Sequence, residues 1–338
     1  LKNTAAVDPF ANEILKQTMQ DAALGRMTWP ADLGQVHFED VRISQRFGID
    51  QGMKSDGSRK IRCVDSCTES GITPCTEATE HLSTDGLDSL FQVMAWLQED
   101  VGIIPHIFKV DVDSAFRRVP VDPAHRWAAH VAFMHEGQIW TSGHLSMPFG
   151  AASSVYAWDR VGAAIVRIAR VVLKIPLLRY VDDMFTADRP QCVVHARNCI
   201  VRLIRALLGT TSVADNKVCS GLPLEVLGVV VDADRDGVAF WPSEQKVEKW
   251  CHEINTALSM QALSAGAAKK LAGKLSWSAQ YVFSRLGRAL LRPLYNMKRG
   301  QKWSDILQSC LTWWLEVLSM QILQVRPWQL PPTRPVQL

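Results

Sequence analysis

A pair of adjacent carboxylates, Asp182 and Asp183, lies inside an otherwise apolar run from Ile175 to Phe185. The apolar neighbours predict a short buried strand, with the two carboxylates in a tight turn between two strands. Two neighbouring anions repel each other and resist removal from water, and a bound divalent cation with oxygen ligands is the usual remedy. A solvated hairpin turn is the other interpretation, because aspartate is common in turns.

Composition sets wide limits on what the chain does. Its 338 residues allow two or three subdomains around a large core, and a hydrophobic fraction of 47% argues against disorder. A net charge of +3 says little about partners, so the position of the charges matters more than their sum. Eight thinly spread cysteines favour a reduced, intracellular protein. Because the N-terminus has neither an initiator methionine nor an apolar signal segment, we expect a piece of a longer polypeptide.

A second apolar strand, predicted from Ile107 to Phe116, carries a carboxylate at Asp111. If this strand is a neighbour of the Asp182-Asp183 hairpin, three carboxylates converge at one edge of a sheet. Such a trio suits two divalent metal ions roughly 3.5 to 4 Å apart, which stabilise the attacking and leaving oxygens of a phosphoryl transfer. A nuclease can use the same trio, so the surroundings have to distinguish it from a polymerase.

The remaining pattern alternates strands and amphipathic helices, which predicts an α+β fold with helices on one face of an antiparallel sheet. Apolar stripes at helical spacing predict three helices, with stripes at 90–97, 155–172 and 193–207. A hairpin is expected to turn at 136–137, and two strands at 225–231 and 238–241. The acidic run 232–237 between those two strands imitates the start of a calcium loop, but Ser243 stands where the loop requires glutamate.

Basic residues dominate the stretch between Ile254 and Ser304, where no acidic residue occurs. Those expected to contact a partner are Lys269, Lys270, Lys274, Arg285, Arg288 and Arg292. A generic solvated helix mixes both signs of charge, so a one-signed stretch of this length favours a nucleic-acid phosphate backbone as the partner. The apolar stretch 303–325 that follows contains Glu316 and several serines and glutamines, and we expect a buried helix there rather than a membrane span.

Five motifs, taken in order, resemble those of reverse transcriptases. Residues 111–116 (Asp-Val-Asp-Ser-Ala-Phe) are similar to the first palm motif, 147–150 (Met-Pro-Phe-Gly) to the second, 180–183 (Tyr-Val-Asp-Asp) to the third, and Lys217 and 227–228 (Leu-Gly) to the next two. Each short motif alone is weak evidence, whereas their order and spacing together are highly specific. The resemblance runs from about residue 47 to 295 and is closest to gypsy-like and tyrosine-recombinase-bearing (DIRS-like) retrotransposons.

This resemblance implies a right-hand polymerase with fingers, palm and thumb, and an antiparallel palm sheet packed on helices. The implied division is an N-terminal extension (1–40), fingers (41–108 and 118–148), palm (109–117 and 149–242), a thumb-like basic helical region (243–300), and a connecting helix with a proline-rich tail (301–338). Asp111 and Asp182 are then the principal ligands of Mg²⁺ or Mn²⁺, with Asp183 beside them. Lys217 matches the lysine that protonates the leaving pyrophosphate, although an ordinary surface lysine is the alternative.

The resemblance also assigns substrate contacts. Phe116 matches the aromatic residue under the incoming sugar, where a bulky ring excludes a 2′-hydroxyl, and ordinary core packing is its alternative. Phe149 and Gly150 match the floor beneath the templating base and the nucleotide. Lys60 and Arg62 are candidates for contacts with the triphosphate.

The implied activity is that of an RNA-directed DNA polymerase, which extends a primer with deoxynucleoside triphosphates on an RNA or DNA template. Its implied partners also include the other domains of a longer retroelement polyprotein, and no membrane. Two other functions stay open: a catalytically silent nucleic-acid-binding scaffold and an RNA-directed RNA polymerase. The three carboxylates argue against the first, and Phe116 argues against the second.

Overall fold

The computed structural model describes residues 8–35, 41–53, 57–281, 287–320 and 324–329. The helices are α1 (Ala11–Ala23), α2 (Leu87–Val101), α3 (Ala152–Val171), α4 (Val193–Leu208), α5 (Glu244–Met260), α6 (Ala265–Tyr281), α7 (Arg292–Tyr295) and α8 (Asp305–Ser319). The strands are β1 (Ala31–Asp32), β2 (Ile43–Met53), β3 (Arg59–Asp65), β4 (His106–Asp111), β5 (His130–His135), β6 (Gln138–Gly143), β7 (Leu178–Tyr180), β8 (Asp183–Asp188), β9 (Cys219–Gly221), β10 (Leu224–Val226), β11 (Val229–Ala233), β12 (Gly237–Pro242) and β13 (Gln324–Pro327).

These elements form two compact units built from interleaved segments. The first unit comprises Leu1–Thr84, Val112–Ile168 and Leu203–Val213. The second unit comprises Asp85–Asp111, Ala169–Arg202 and Ala214–Leu338. Within the described residues, no helix combines the length and the apolar character that crossing a bilayer requires.

The first unit contains a five-stranded sheet in the order β1-β6-β5-β2-β3. Its pairs are antiparallel except for β2 with β5, which run parallel. The β5–β6 hairpin turns at Glu136 and Gly137, both with positive φ, as the sequence predicts. Helix α1 packs on this sheet, where Ile14 lies with Cys63 and Phe133 in a small apolar cluster. Helix α1 lies within the stretch assigned as an N-terminal extension, whose sequence shows only a weak helical pattern.

The second unit contains two four-stranded sheets, β7-β8-β4-β9 and β10-β11-β12-β13, and every pair in both is antiparallel. Strand β4 is buried on both faces, since Ile107, Phe108 and Val110 are all fully shielded from solvent. Helix α2 packs on β8 through its apolar stripe, which includes Leu90 and Met94. The unit therefore has the antiparallel sheet and the helix on it that the α+β pattern predicts.

Three predicted elements differ from the structure. The expected strand 225–231 is a hairpin, β10 and β11, with Leu227 and Gly228 in the turn. The expected helix 303–325 begins after its predicted cap, Ser304, but ends at Ser319, and the chain returns as strand β13. Strand β4 ends at Asp111 rather than continuing to residue 116. In the first case Leu227 occupies a turn position that Asn or Asp usually fills, so the apolar pattern continues through the turn.

The acidic run 232–237 forms a hairpin turn between β11 and β12. Asp234 Oδ1 accepts hydrogen bonds from the backbone N–H groups of Asp236 (2.8 Å) and Gly237 (3.1 Å). This local pattern is a common use of aspartate in turns. The run therefore serves the turn, in keeping with the sequence argument against a calcium loop.

Candidate active site

The Asp182-Asp183 pair lies at the turn between β7 and β8. Tyr180 pairs with Asp183 across the hairpin, so Val181 and Asp182 form a two-residue loop. Val181 has a φ of +54°, a conformation that the first position of a type II′ turn requires and that glycine normally supplies. The buried Arg179 side chain donates to the Val181 carbonyl oxygen at 3.2 Å and so supports this strained turn.

Asp111 stands directly opposite Asp183 in the antiparallel register of β4 and β8. Side chains of directly opposed residues lie on the same face of the sheet, so these two carboxylates are neighbours. Burial, followed by the charges of Asp182 and Asp111, raises the pKa of Asp183 to about 6. The structure thus brings together the three carboxylates that the sequence analysis placed in one site.

Lys217 lies beside the same carboxylates at the end of a short 3-10 helix, Asp215–Lys217. Its ammonium group forms an ion pair with Asp111 Oδ2, and this contact raises the pKa of Lys217. Among the residues that the structure describes, no group of three or more His, Cys, Asp and Glu side chains is arranged to hold a metal ion. The carboxylate donors nonetheless suit Mg²⁺, and a cation would relieve the repulsion that raises the pKa of Asp183.

A cavity of about 360 Å³ opens beside Asp183. It is lined by Lys109, Tyr180, Asp183, Leu227, Gly228 and Trp277. The turn between β10 and β11 forms one wall, with φ of +50° at Leu227 and +79° at Gly228, as in a type I′ turn. A Cβ at Gly228 would collide with the Lys246 ammonium group, which donates to the Gly228 carbonyl oxygen at 2.8 Å. The Lys246 side chain is flexible enough to move away, so the φ of +79° is the reason that glycine suits this position.

The predicted substrate contacts meet in the first unit. The rings of Phe116 and Phe149 lie 5.5 Å apart between centroids, tilted by 55°. The Arg62 guanidinium lies 5.8 Å from the centroid of the Phe149 ring, within cation–π range. Lys60, Arg62 and Phe149 all line one cavity of about 310 Å³. Four residues from distant parts of the sequence thus form one aromatic and basic surface.

Gly150 belongs to this region because of a close backbone approach. Its φ is +106°, and a Cβ there would stand 2.5 Å from the carbonyl oxygen of Asp65. Neither the conformation nor the space accommodates another residue. The second palm-like motif thus ends in glycine for a steric reason.

A buried ionic cluster adjoins the same cavity, and the sequence analysis missed it. Arg117 donates to Asp21 Oδ2 at 2.7 Å, and Arg46 donates to Asp65 Oδ1 at 3.3 Å. Asp65 also accepts from His144 Nε2 at 2.9 Å. All five side chains are almost completely buried. We call Asp21, Arg46, Asp65, Arg117 and His144 the buried ionic cluster.

Hydrogen bonding defines the tautomer of His144. Arg117 can only donate, so His144 Nδ1, 2.7 Å from Arg117 Nη1, accepts, and Nε2 carries the proton donated to Asp65. Burial holds the pKa of His144 below its ordinary value, against the attraction of Asp65. Burial also opposes ionisation of Asp65, but Arg46, His144 and Arg117 outweigh it and hold the pKa of Asp65 below its ordinary value. The imidazole is therefore neutral and the carboxylate charged.

The predicted nucleic-acid contacts have different surroundings. Lys269 and Lys270 are exposed on α6, whereas Lys274 is bound by both carboxylate oxygens of Glu253, at 2.7 and 2.8 Å. Arg288 and Arg292 are exposed on either side of a 3-10 turn, Ala289–Leu291, rather than on one continuous helix. Arg285 lies outside the described residues.

Comparison with solved structures shows what kind of fold carries this site. A foamy viral protease-reverse transcriptase, solved with an RNA/DNA hybrid, superposes with a TM-score of 0.61 at 15% identity, covering 93% of this chain and 37% of that one. The fold is reverse-transcriptase-like. A second form of that protein, called dRH and solved with ds DNA, has a TM-score of 0.58 at 16% identity, covering 93% and 49%. A third structure, solved with dsDNA, has a TM-score of 0.59 at 13% identity, covering 97% and 60%.

This reverse-transcriptase-like chain spans between about a third and three fifths of the length of those structures. No family model matches its sequence, and no curated protein matches it either. The likeness is therefore one of fold, and the chemistry has to be argued from the site itself.

Proposed function

We propose that this chain is an RNA-directed DNA polymerase domain that extends a primer 3′-hydroxyl with deoxynucleoside triphosphates. The observation that carries the proposal is the pairing of Asp111 with Asp183 at the strained turn that presents Asp182, in a reverse-transcriptase-like fold. A carboxylate whose pKa is raised by burial and by two neighbouring carboxylates, as that of Asp183 is, is unfavourable in a purely structural role and is typical of a functional site.

Asp111 and Asp182 would hold Mg²⁺ or Mn²⁺, with Asp183 beside them. When bound, the ions supply positive charge to the attacking and leaving oxygens of the phosphoryl transfer. Lys217 would protonate the leaving pyrophosphate, since its ammonium group lies beside the carboxylates; its pKa is raised while it contacts Asp111, so leaving Asp111 would make it a better proton donor.

The first unit would bind the nucleotide. Arg62 and Lys60 offer cations for a triphosphate, and Arg62 is held over the Phe149 ring. Phe116, packed against Phe149, would lie under the sugar and exclude a 2′-hydroxyl. The triphosphate assignment rests on the cavity that Lys60, Arg62 and Phe149 share, and the sugar assignment rests on the ring contact between Phe116 and Phe149.

The wider assignments follow from the same proposal. The chain is divided into fingers, palm and a thumb-like region, and it binds an RNA or DNA template with its primer. Lys269, Lys270, Arg288 and Arg292 supply phosphate contacts, a role supported by their exposure. The domain belongs to an intracellular retroelement polyprotein of the gypsy-like or DIRS-like kind.

Primer extension on poly(rA) and DNA templates, with either nucleotide type and with Mg²⁺ or Mn²⁺, tests this function. Asp182→Asn is expected to abolish extension while duplex binding stays within about twofold of the wild type. Asp188→Asn, at the opposite end of β8, is the matched control and is expected to retain extension. Extension by the Asp182→Asn variant would remove the metal-ligand assignment. In the same assay, Phe116→Val is expected to raise ribonucleotide incorporation, and an unchanged nucleotide preference would remove the sugar-gate assignment.

A catalytically silent nucleic-acid-binding scaffold is the second candidate. The observation that favours it is the ion pair between Lys217 and Asp111, which partly neutralises the carboxylate site without a metal ion. Tight duplex binding without extension in either metal would support the scaffold and exclude the polymerase.

A further inference from the structure

Two hairpin turns near Asp183 contain a residue other than glycine in the left-handed region. Val181 lies in the β7–β8 turn with φ +54°, and Leu227 lies in the β10–β11 turn with φ +50°. Branched and bulky side chains avoid this conformation. Such strain persists only where the surroundings hold the backbone in place, and it is frequent at functional sites. Side chains that hold these two turns are therefore of interest.

One side chain from α6 contacts both hairpins. Trp277 Nε1–H donates to the Leu227 carbonyl oxygen at 3.1 Å. The Trp277 ring also meets the Tyr180 ring nearly edge-on, with centroids 5.7 Å apart and planes at 65°. Tyr180 directly precedes the Val181-Asp182 turn. The Trp277 indole thus contacts Leu227, the strained residue of the β10–β11 turn. It also contacts Tyr180, which directly precedes the strained Val181 of the β7–β8 turn.

The other supports of the β10–β11 turn approach from different elements. Lys246 of α5 donates to Gly228 O and Glu225 Oε1, both at 2.8 Å. Lys109 of β4 donates to the Glu225 carbonyl oxygen at 2.7 Å. These lysines hold the turn, whereas Trp277 joins it to the hairpin that carries the carboxylates. The contact with Tyr180 connects Trp277 to the turn that carries Asp182.

We propose that Trp277 is a positioning residue for nucleotide addition. It holds the β7–β8 turn and the β10–β11 turn at a defined separation, and it thereby sets where Asp182 and Asp183 lie relative to the cavity beside them. Trp277 acts through Tyr180 and Leu227 and need not touch the reacting atoms. This inference rests on the proposed polymerase function.

Trp277→Phe is the decisive variant, because it keeps an aromatic ring against Tyr180 and removes the N–H that Leu227 accepts. Its single-turnover rate of nucleotide addition is expected to fall on the order of tenfold, since small misplacements of reacting groups are costly. The KM for the nucleotide and the Kd for duplex should change less than twofold. Trp303→Phe is the matched control, because it also removes an indole hydrogen bond, to Gln308 Oε1 at 3.3 Å, in the same unit. The control is expected to retain the wild-type rate.

Two results would overturn the proposal. An unchanged addition rate in Trp277→Phe would show that the hydrogen bond does not position the turn. A weaker duplex Kd with an unchanged addition rate would make Trp277 a nucleic-acid contact instead.

A double-mutant cycle keeps the inference separate from the proposed function. Tyr180→Leu, Trp277→Leu and the double variant are compared by denaturant unfolding, which needs no activity. The double variant is expected to lose less stability than the two single losses combined, and additive losses would overturn the bracing contact. If the wild-type chain extends no primer, the proposed function fails while this cycle still decides whether Trp277 and Tyr180 are coupled.

Discussion

The two charged clusters of this molecule are built on opposite principles. In the second unit, Asp111, Asp182 and Asp183 place three like charges together, and the pKa of Asp183 rises to about 6. In the first unit, the buried ionic cluster alternates acids with bases, and the pKa of Asp65 falls below its ordinary value. The like-charged carboxylates therefore favour the protonated form of Asp183, whereas the oppositely charged neighbours of Asp65 favour its ionised form.

The difference separates function from architecture. In a cluster of opposite charges the acids and bases compensate one another, so it can be buried almost completely without a ligand. A cluster of like charges is unfavourable without compensating positive charge, and Lys109 and Lys217 offset the repulsion at Asp183 only in part. Perturbed carboxylates at the end of a strand therefore indicate a binding site, whereas the more deeply buried cluster supports the fold. Burial alone would have suggested the opposite assignment, with the buried ionic cluster as the binding site.

Removing one acid from the buried ionic cluster gives the largest expected effect. Asp65→Ala removes the carboxylate that accepts from both Arg46 and His144, and the lost charge cannot be replaced by bulk water because these side chains are almost completely buried. The free energy of unfolding is expected to fall by about 3–5 kcal/mol, as for other broken buried pairs. Denaturant titration followed by circular dichroism measures it.

Asp50→Ala is the matched control for this change. Asp50 lies on β2 of the same hairpin, and its ion pair with Arg59, at 3.5 Å, is exposed to solvent. Its loss is expected to change the free energy of unfolding by less than about 1 kcal/mol. Equal effects of the two substitutions would show that the buried ionic cluster is not held by its charges.

Acid is expected to weaken the buried ionic cluster through His144. Burial lowers the pKa of His144 in the folded protein, so the unfolded chain takes up the proton first as the pH falls below about 6.5. Stability is therefore lost towards low pH, with an upper limit of about 2 kcal/mol between pH 7 and pH 5 for one proton. The lowered pKa of Asp65 acts in the same direction at still lower pH, where protonation of this carboxylate begins.

His144→Gln tests this pH dependence. Glutamine can donate to Asp65 and accept from Arg117 but does not titrate, so the loss between pH 7 and pH 5 should flatten. His125→Gln is the control, because His125 is an exposed histidine of the same unit. A wild-type slope that survives in His144→Gln would assign the acid sensitivity to another group.

The carboxylate hairpin could be predicted from the sequence because its signals are local. Two aspartates between short apolar runs indicate a turn within a few residues, and the structure differs only in placing Asp183 at the start of β8. The buried ionic cluster could not be predicted in this way. Asp21 and Arg117 are 96 residues apart, and Asp21 lies on α1, a helix whose pattern is weak. Long-range pairing leaves no periodic trace in either segment.

The β10–β11 turn shows a second limit. Hairpins with this geometry usually carry Asn-Gly or Asp-Gly, and here Leu227 takes the first position. The sequence therefore continues as an apolar strand through the turn. Tertiary contacts from Trp277 and Lys246 hold the turn, and the residues that make these contacts come from α6 and α5. At this turn, which forms one wall of the candidate site, tertiary contacts override the local preference of Leu227 for a strand. Strained backbone of this kind is expected near functional sites.

Neutralising one acid of the carboxylate site should raise the free energy of unfolding, whereas Asp65→Ala lowers it. The change should also be smaller. Asp183→Asn keeps the shape of the side chain and removes its repulsion with Asp182 and Asp111. Without added metal, the free energy of unfolding at pH 8 is expected to rise by about 1 kcal/mol, because a charge held near its like is relieved. Asp188→Asn, at the far end of the same strand, should leave stability nearly unchanged. If Asp183→Asn instead destabilised the protein, its carboxylate would be held by compensating partners, as in the buried ionic cluster, and the contrast between the two clusters would be lost.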